Sequence, residues 1–223
     1  RPWTDRIGER TLKILGGSVA ATHALLSEHA GVAGNLAGGT HHAFRGEGAG
    51  YCVFNDVAVC ARVAMRDHGV ERVLVLDLDV HQGDGTAAIF EDEPRVFTCS
   101  LHCQENFPFR KQRSDLDIAL PKGTGDAGYL DALDRVLSRT FTRHRPELLI
   151  YQAGVDPLAE DRLGRLELTR EGLQERNARV YAEARARGIP TLVLMGGGYA
   201  EPLEPTVTAL ADVFEQAVDT WGA

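Results

Sequence analysis

The stretch that decides the fold is Val73-Leu74-Val75-Leu76-Asp77-Leu78-Asp79-Val80-His81-Gln82-Gly83-Asp84-Gly85. Its first four residues are apolar, which is typical of a buried strand. The polar residues that follow stand at the carboxyl end of this strand, where open α/β sheets hold their ligands. Asp77, Asp79 and His81 alternate along the chain, so their side chains are predicted to project to one side. Two carboxylates and an imidazole so placed suit a divalent metal such as zinc.

Apolar runs alternate with segments of helical periodicity along the rest of the chain. The predicted strands are 34–36, 73–78, 95–101, 147–152 and 190–195, and the predicted helices are 5–30, 55–68, 85–90, 129–144, 169–187 and 204–221. Residues 102–128 are rich in turn signals and are predicted to be mostly loop. Gly16 and Gly17 indicate either a weakened first helix or close packing. This alternation predicts a parallel sheet with helices on both faces.

The composition is that of an ordinary globular protein. The 223 residues are 43% hydrophobic and 25% charged, which fits one domain with a substantial core. The net charge of −8 argues against direct nucleic-acid binding and is compatible with a cationic substrate. The chain has no apolar run of about eighteen residues and no secretory signal, so we expect a cytoplasmic protein that does not enter membranes. The sequence pattern does not indicate whether the protein is a monomer or an oligomer. The cysteines form no CxxC pairs and are expected to be reduced thiols: Cys52, Cys60, Cys99 and Cys103.

Four predicted strand ends carry residues that can meet in one pocket. Gly38-Gly39-Thr40-His41-His42 follows the first strand, Asp156 follows the strand at 147–152, and Gly196-Gly197-Gly198-Tyr199 follows the last. The carboxyl ends of parallel strands lie along the same edge of a sheet. We therefore expect these residues to converge on the polar stretch after Leu76.

Amide hydrolysis is the chemistry that these residue types favour. A catalytic zinc commonly keeps three protein ligands and one open position, and Asp79, His81 and Asp156 supply such a set. The remaining polar groups suit proton transfer and oxyanion stabilisation. They are the imidazoles of the His41-His42 pair, the spare carboxylates Asp77 and Asp84, either of which could orient a histidine, and the phenol of Tyr199.

These residues resemble the motifs of the zinc-dependent histone deacetylase family, which includes acetoin-utilisation proteins and acetylpolyamine amidohydrolases. The resemblance runs from about residue 10 to about residue 200. The matching motifs are His41-His42, Gly50-Tyr51-Cys52-Val53-Phe54-Asn55-Asp56, Asp79-Val80-His81-Gln82-Gly83-Asp84-Gly85, Gly154-Val155-Asp156-Pro157-Leu158 with Asp161-Arg162, and Gly197-Gly198-Tyr199. Asn106-Phe107-Pro108-Phe109-Arg110-Lys111 and Ser114-Asp115-Leu116 are most similar to the class IV branch and its bacterial relatives. The resemblance implies the arginase–deacetylase fold, an α/β three-layer αβα sandwich with a central parallel sheet.

The resemblance also implies a role for each matched residue. Zn²⁺ would be bound by Asp79, His81 and Asp156. His42, oriented by Asp84, would act as base and then as acid toward the leaving amine. His41, paired with Asp77, would add electrostatic support or supply a proton, and Tyr199 would stabilise the tetrahedral intermediate.

Further implied sites are a tunnel for the acyl-lysine side chain and a potassium site. Gly50, Tyr51, Gly197 and Gly198 would contact the substrate, with Tyr51 standing where the family usually has Phe. A K⁺ ion would lie beneath the zinc, held by Asp77, Asp79, His81, Ser100 and Leu101. Family members carry a further strand and a rim loop before the region where this chain starts. We therefore expect residues 1–223 to be a single deacetylase domain that lacks its N-terminal segment.

Alternative functions stay open at this point. The favoured substrate is acetyl-lysine in a protein, but a long-chain acyl-lysine or a small acylated amine such as an acetylpolyamine would also fit a tunnel that ends at zinc. A non-catalytic acyl-lysine binding module is a third possibility, although the intact His41, His42 and Tyr199 argue against it. An arginase-type ureohydrolase is disfavoured, because two manganese ions need a late Asp-x-Asp pair and Asp156 is followed by Pro157-Leu158-Ala159.

Overall fold

The computed structural model describes residues 4–222 and contains six strands in one sheet. The helices are α1 (Asp5–Ser27), α2 (Asp56–Asp67), α3 (Asp84–Phe90), α4 (Asp126–His144), α5 (Arg170–Ala186) and α6 (Glu204–Trp221). The strands are β1 (Val32–Asn35), β2 (Val73–Asp77), β3 (Val96–Cys103), β4 (Leu116–Leu120), β5 (Leu148–Gln152) and β6 (Thr191–Leu194). Their order is β1-β6-β5-β2-β3-β4, and every neighbouring pair is parallel. The predicted αβα sandwich is confirmed.

The two faces of the sheet bury two separate apolar clusters. Leu74 and Leu76 of β2 pack in a cluster with residues of α4, α5 and α6, whereas Val73 and Val75 pack in a second cluster with residues of α1 and α2. A central parallel strand is covered on both faces, so it must be apolar at successive positions. This requirement explains why the uninterrupted run before Asp77 predicted the sheet so clearly.

The helix boundaries follow local capping chemistry. The Asn55 side chain accepts a hydrogen bond from the backbone N–H of Ala58 and caps α2, and Thr169 caps α5 in the same way through Gly172. Helix α1 ends at Ser27 rather than near residue 30. Among residues 4–222, none of the helices combines the length and the apolarity that crossing a membrane requires.

Helix α1 continues through Gly16 and Gly17, and the two glycines have different surroundings. A Cβ added at Gly16 would meet no heavy atom within 4 Å, whereas one added at Gly17 would lie 3.0 Å from Nδ2 of Asn35. The Asn35 amide reaches back from the end of β1 and donates to the carbonyl of Ile14 at 2.9 Å. Close packing is therefore the reason for glycine at position 17 only.

The prediction that residues 102–128 are mostly loop is wrong in part. Strand β3 continues to Cys103, and Leu116–Leu120 forms the edge strand β4. In β4, Leu116 and Leu120 are buried while Asp117 and Ala119 are exposed. An edge strand pairs on one side and needs little apolar sequence, so the surrounding turn residues concealed it.

Candidate active site

A cavity of about 710 Å³ opens at the carboxyl edge of the sheet. It collects residues from all four strand ends that the sequence pattern singled out. The predicted site residues that line it are His41, His42, Gly50, Tyr51, Asp79, His81, Asp156, Gly197 and Tyr199. The predicted convergence of the strand ends is therefore present in the fold.

Three side chains at the floor of this cavity form a compact group of metal-ligand type, here named the Asp-His-Asp group: Asp79, His81 and Asp156. Their ligand atoms lie within 4.8 Å of one another, and Nδ1 of His81 is 3.0 Å from one oxygen of each carboxylate. The other Asp79 oxygen accepts from the Gly197 N–H at 3.0 Å, and the other Asp156 oxygen accepts from the Val80 N–H at 2.8 Å. Backbone amides thus fix the orientation of both carboxylates.

The electrostatics of this group fit a divalent cation. Asp79 is 1% exposed and Asp156 is 0% exposed. Burial and the neighbouring Asp79 charge raise the pKa of Asp156 to about 7. Two buried carboxylates are costly unless a cation compensates them, and an oxygen–nitrogen donor set suits zinc and other first-row divalent ions. The residues present therefore fit the metal that the resemblance implies.

Two glycines, Gly154 and Gly197, provide the space that the carboxylates of Asp79 and Asp156 occupy. A Cβ at Gly154 would lie 2.2 Å from Oδ2 of Asp79, and one at Gly197 would lie 2.4 Å from Oδ2 of Asp156. No side chain can be accommodated at either position without moving a carboxylate. Gly198 lies against the side chains of Thr206 and Val155, and a Cβ at Gly50 would meet the His42 ring at 2.3 Å.

Two histidine–aspartate pairs stand next to the Asp-His-Asp group. Nδ1 of His41 lies 2.6 Å from Oδ2 of Asp77, and Nδ1 of His42 lies 2.7 Å from Oδ1 of Asp84. All four residues are at most 5% exposed, and the two imidazole centroids are 4.0 Å apart. With Nδ1–H donating to a carboxylate, Nε2 is the basic nitrogen of each ring. The pairing is the one that the resemblance implied.

The two imidazoles have opposite pKa shifts. Burial lowers the pKa of His41, but the Asp77 and Asp79 carboxylates outweigh it and raise this pKa to about 9. Burial and the charge of His41 lower the pKa of His42 to about 4, although the hydrogen bond that His42 donates to Asp84 opposes this shift. Adjacent imidazoles repel each other when both are charged, so near neutral pH one is cationic and the other is neutral.

Tyr199 reaches the cavity on a loop that follows β6. Its backbone N–H donates to Oδ2 of Asp161 at 2.5 Å, and its carbonyl accepts from the N–H of Arg162 at 3.3 Å. Oδ1 of Asp161 accepts from the N–H groups of Leu163 and Gly164, both at 2.8 Å. Asp161, which the sequence pattern matched without a role, therefore joins the loop after β5 to the loop that carries Tyr199.

The phenol of Tyr199 stays protonated at neutral pH. Burial, followed by the charges of Asp79 and Asp156, raises its pKa above the usual value. A protonated phenol can donate a hydrogen bond to an oxygen that gains negative charge. Tyr199 is 38% exposed, and its ring centroid lies 6.4 Å from that of Tyr51, which is 88% exposed at the cavity mouth.

Aromatic residues that the sequence pattern did not single out as wall residues complete the cavity. The Phe107 ring lies edge-on to His42 with centroids 5.0 Å apart, and Phe109 packs against Phe107 at 6.4 Å. Both line the cavity, together with Asn106, whose Nδ2 lies 3.4 Å from Nε2 of His81. Two phenylalanines alternating in a polar loop just after a strand end are the signal that could have identified this wall.

Two of the residues predicted to hold potassium are neighbours in the sheet. Ser100 lies beside Asp77 in the register of β2 and β3, and both Ser100 and Leu101 are buried. Oγ of Ser100 is 2.9 Å from Nδ1 of His102. Potassium binding by these residues with Asp79 and His81 stays a prediction.

The whole chain is similar to known proteins. The family model described as histone deacetylase domain matches residues 2–215. An uncharacterized protein of Picosynechococcus sp. is 48% identical over 206 residues, which cover 92% of this chain and 68% of that protein. Histone deacetylase 2 of Arabidopsis thaliana is 35% identical over 206 residues, which cover 91% of this chain and 52% of that protein. Histone deacetylase 1 of Homo sapiens is 33% identical over 195 residues, which cover 82% of this chain and 39% of that protein. This chain spans about two thirds of the first relative and about half or less of the other two.

Proposed function

This chain belongs to the histone deacetylase family, and we propose that it catalyses zinc-dependent hydrolysis of the acyl-amide bond of acetyl-lysine in proteins. One observation carries this proposal. The His41–Asp77 and His42–Asp84 pairs and the Asp-His-Asp group all adjoin one cavity. Proton-transfer groups and metal ligands at this distance from each other are what metal-assisted amide hydrolysis requires.

The Asp-His-Asp group would hold the metal through Nδ1 of His81 and one oxygen each of Asp79 and Asp156. A divalent ion bound there supplies Lewis acidity, which polarises an acyl carbonyl and makes water more acidic. The buried surroundings of the three ligands strengthen this effect, because charges interact more strongly away from bulk water.

His42 is the residue we assign to proton transfer. Its low pKa leaves Nε2 neutral and able to take a proton from the attacking water, and Asp84 fixes the ring by accepting from Nδ1. The protonated His42 then returns the proton to the leaving amine. His41, whose Nδ1 donates to Asp77, stands beside His42 and adds electrostatic support to the negative charge that develops there.

Tyr199 is assigned to the oxyanion. Its protonated phenol borders the cavity and would donate a hydrogen bond to the former carbonyl oxygen as that oxygen gains charge. Asp161 holds the backbone of this residue through the contact at 2.5 Å. The interaction is made mainly in the transition state, so it accelerates the reaction instead of merely tightening substrate binding.

The cavity wall supports an acyl-lysine substrate. Tyr51, Phe107 and Phe109 line it with aromatic rings, and apolar walls with a few polar groups at the floor suit a methylene chain that ends in an amide. The net charge of −8 is compatible with substrates that carry further positive charges.

The test is a substrate panel assayed with zinc-loaded protein: acetyl-lysine peptides, long-chain acyl-lysine peptides and acetylpolyamines. We expect the acetyl-lysine peptides to be turned over fastest, with activity lost in His42→Ala and kept in His23→Ala, a histidine of α1. Faster turnover of an acetylpolyamine would contradict the assigned substrate. Peptide binding without any turnover would contradict catalysis and favour a binding module.

A further inference from the structure

Arg176 places a positive charge in the interior of the protein, beneath the loops that carry the metal ligands. The residue belongs to α5 and is 0% exposed. Its guanidinium donates to the backbone carbonyls of Gly154 at 2.6 Å and of Leu78 and Ala153 at 3.3 Å. The side-chain oxygen of Asn177 is a further acceptor, at 3.0–3.2 Å. In the described part of the chain, every acceptor of this guanidinium is neutral.

Such a charge is costly in the interior of a protein. Arginine does not lose its proton, and a buried cation is destabilising unless other charges or many hydrogen bonds compensate it. The planar guanidinium holds several acceptors at once in a fixed arrangement, which an ammonium group cannot do. The positions of the three carbonyls therefore indicate what this arginine organises.

The three carbonyls belong to the two loops that supply the Asp-His-Asp group. Leu78 directly precedes Asp79 after β2, and Ala153 and Gly154 lie between β5 and Asp156. Gly154 is in direct contact with Asp79, since a Cβ there would lie 2.2 Å from the carboxylate. A shift of either loop would therefore move a ligand atom.

The positive charge of Arg176 is also favourable close to the buried carboxylates of the metal site. The peptide carbonyl that it binds at Leu78 adjoins Asp79, and Asp77, Asp79 and Asp156 are each at most 3% exposed. Water is excluded around these carboxylates, so a cation on the protein side is weakly screened from them. The guanidinium, bonded to the loops that carry Asp79 and Asp156, therefore has the sign that offsets the repulsion between these carboxylates.

We propose that Arg176 is a positioning residue for the metal site. It holds the loops after β2 and β5 in the relative arrangement at which Asp79, His81 and Asp156 bind one divalent ion. This inference rests on the metal site of the proposed function and is independent of the identity of the substrate.

Metal affinity is the property to measure, because it does not require turnover. Metal-free wild type, Arg176→Gln and Arg176→Lys are titrated with Co²⁺ and with Zn²⁺ against a competing chelator. The visible absorption of bound Co²⁺ reports the coordination geometry, and circular dichroism checks the fold. The control is Arg179→Gln in the same helix, where the arginine pairs with Glu175 and Asp134 near the surface.

We expect Arg176→Gln to bind both metals about ten- to a hundredfold more weakly, as for other groups that orient metal ligands, and to alter the Co²⁺ spectrum. Arg176→Lys should fall between this variant and wild type, since it keeps the charge but loses the planar fork. Arg179→Gln should match wild type.

Wild-type affinity and an unchanged Co²⁺ spectrum in a folded Arg176→Gln would overturn the proposal. Loss of the folded state in both Arg176 variants would also overturn it, because the residue would then serve the whole fold. If Arg176→Gln weakens metal binding while wild type hydrolyses none of the acylated amines, the proposed function fails and the positioning role stands.

Discussion

At the scale of single residues, His41 and His42 show how neighbours make two identical side chains different. Each donates from Nδ1 to one carboxylate, but His41 also has Asp79 3.9 Å from its Nε2. The extra carboxylate favours the charged form of His41, and that charge disfavours protonation of His42. The pair therefore divides into a cation and a neutral base.

The first prediction compares alanine variants of the two histidines. His42→Ala should lower kcat by about a hundred- to ten-thousandfold, because it removes the group assigned to proton transfer. His41→Ala should lower kcat less, and both variants should keep their metal because neither residue belongs to the Asp-His-Asp group. The measurement is kcat on an acetyl-lysine peptide together with metal content. If His41→Ala is the weaker enzyme, the two roles must be exchanged.

A second prediction concerns the phenol of Tyr199. Tyr199→Phe should lose about 2.7–4 kcal/mol of transition-state stabilisation, a hundred- to thousandfold in kcat, with a much smaller change in KM. The matched control is Tyr181→Phe, which removes a phenol that donates to the Val213 carbonyl between α5 and α6, outside the cavity, and should leave kcat nearly unchanged. A Tyr199→Phe enzyme within a few fold of wild type at saturating substrate would remove this residue from the mechanism.

The sequence revealed residues whose position follows from a strand end, and it did not reveal residues that act across distant segments. Asp79, His81 and Asp156 could be predicted because parallel strands expose their carboxyl ends together. Asp161 and Arg176 act through backbone atoms of other loops, which have no sequence signature of their own. Arg176 left one trace, since it shares the buried face of α5 at helical spacing from Leu173 and Val180.

At the scale of elements, helix α1 offers a direct comparison of two adjacent glycines. Gly16→Ala should raise the free energy of unfolding by about 0.5–1 kcal/mol, because alanine restricts the unfolded chain and meets nothing within 4 Å. Gly17→Ala should gain less or be destabilising, since its methyl would press on the Asn35 amide at 3.0 Å. Urea unfolding of both variants measures the difference. Equal stabilisation by both substitutions would contradict the packing described for Gly17.

Strand prediction succeeded or failed according to how each strand is covered. The central strands β2 and β5 are buried at every position and read as continuous apolar runs. The edge strand β4 buries only its first and last residues fully, and the flanking Asp115 bonds to Thr98 instead of marking a turn. Its pairing with β3 is a tertiary interaction that a local pattern does not contain.

At the scale of the whole molecule, the site and the fold depend on each other. The Asp-His-Asp group comes from two strand ends, and the loop after β6 supplies the Gly197 amide that orients Asp79. A cation that binds the folded state and not the unfolded chain stabilises the fold, by about 2.7 kcal/mol at a free concentration of a hundred times Kd. Removing the metal leaves buried carboxylates facing each other, so we expect the metal-free protein to unfold at a lower temperature than the zinc-loaded protein.

The most direct test of the account is a titration of metal-free protein with Zn²⁺, in which bound metal and hydrolysis of an acetyl-lysine peptide are measured together. We predict that both reach their maximum at one ion per chain. Asp156→Asn should neither bind the ion nor hydrolyse the peptide. Asp131→Asn, at an exposed position of α4, should bind and hydrolyse as wild type does. Full metal occupancy and wild-type turnover in Asp156→Asn would contradict the claim that Asp79, His81 and Asp156 form the catalytic metal site.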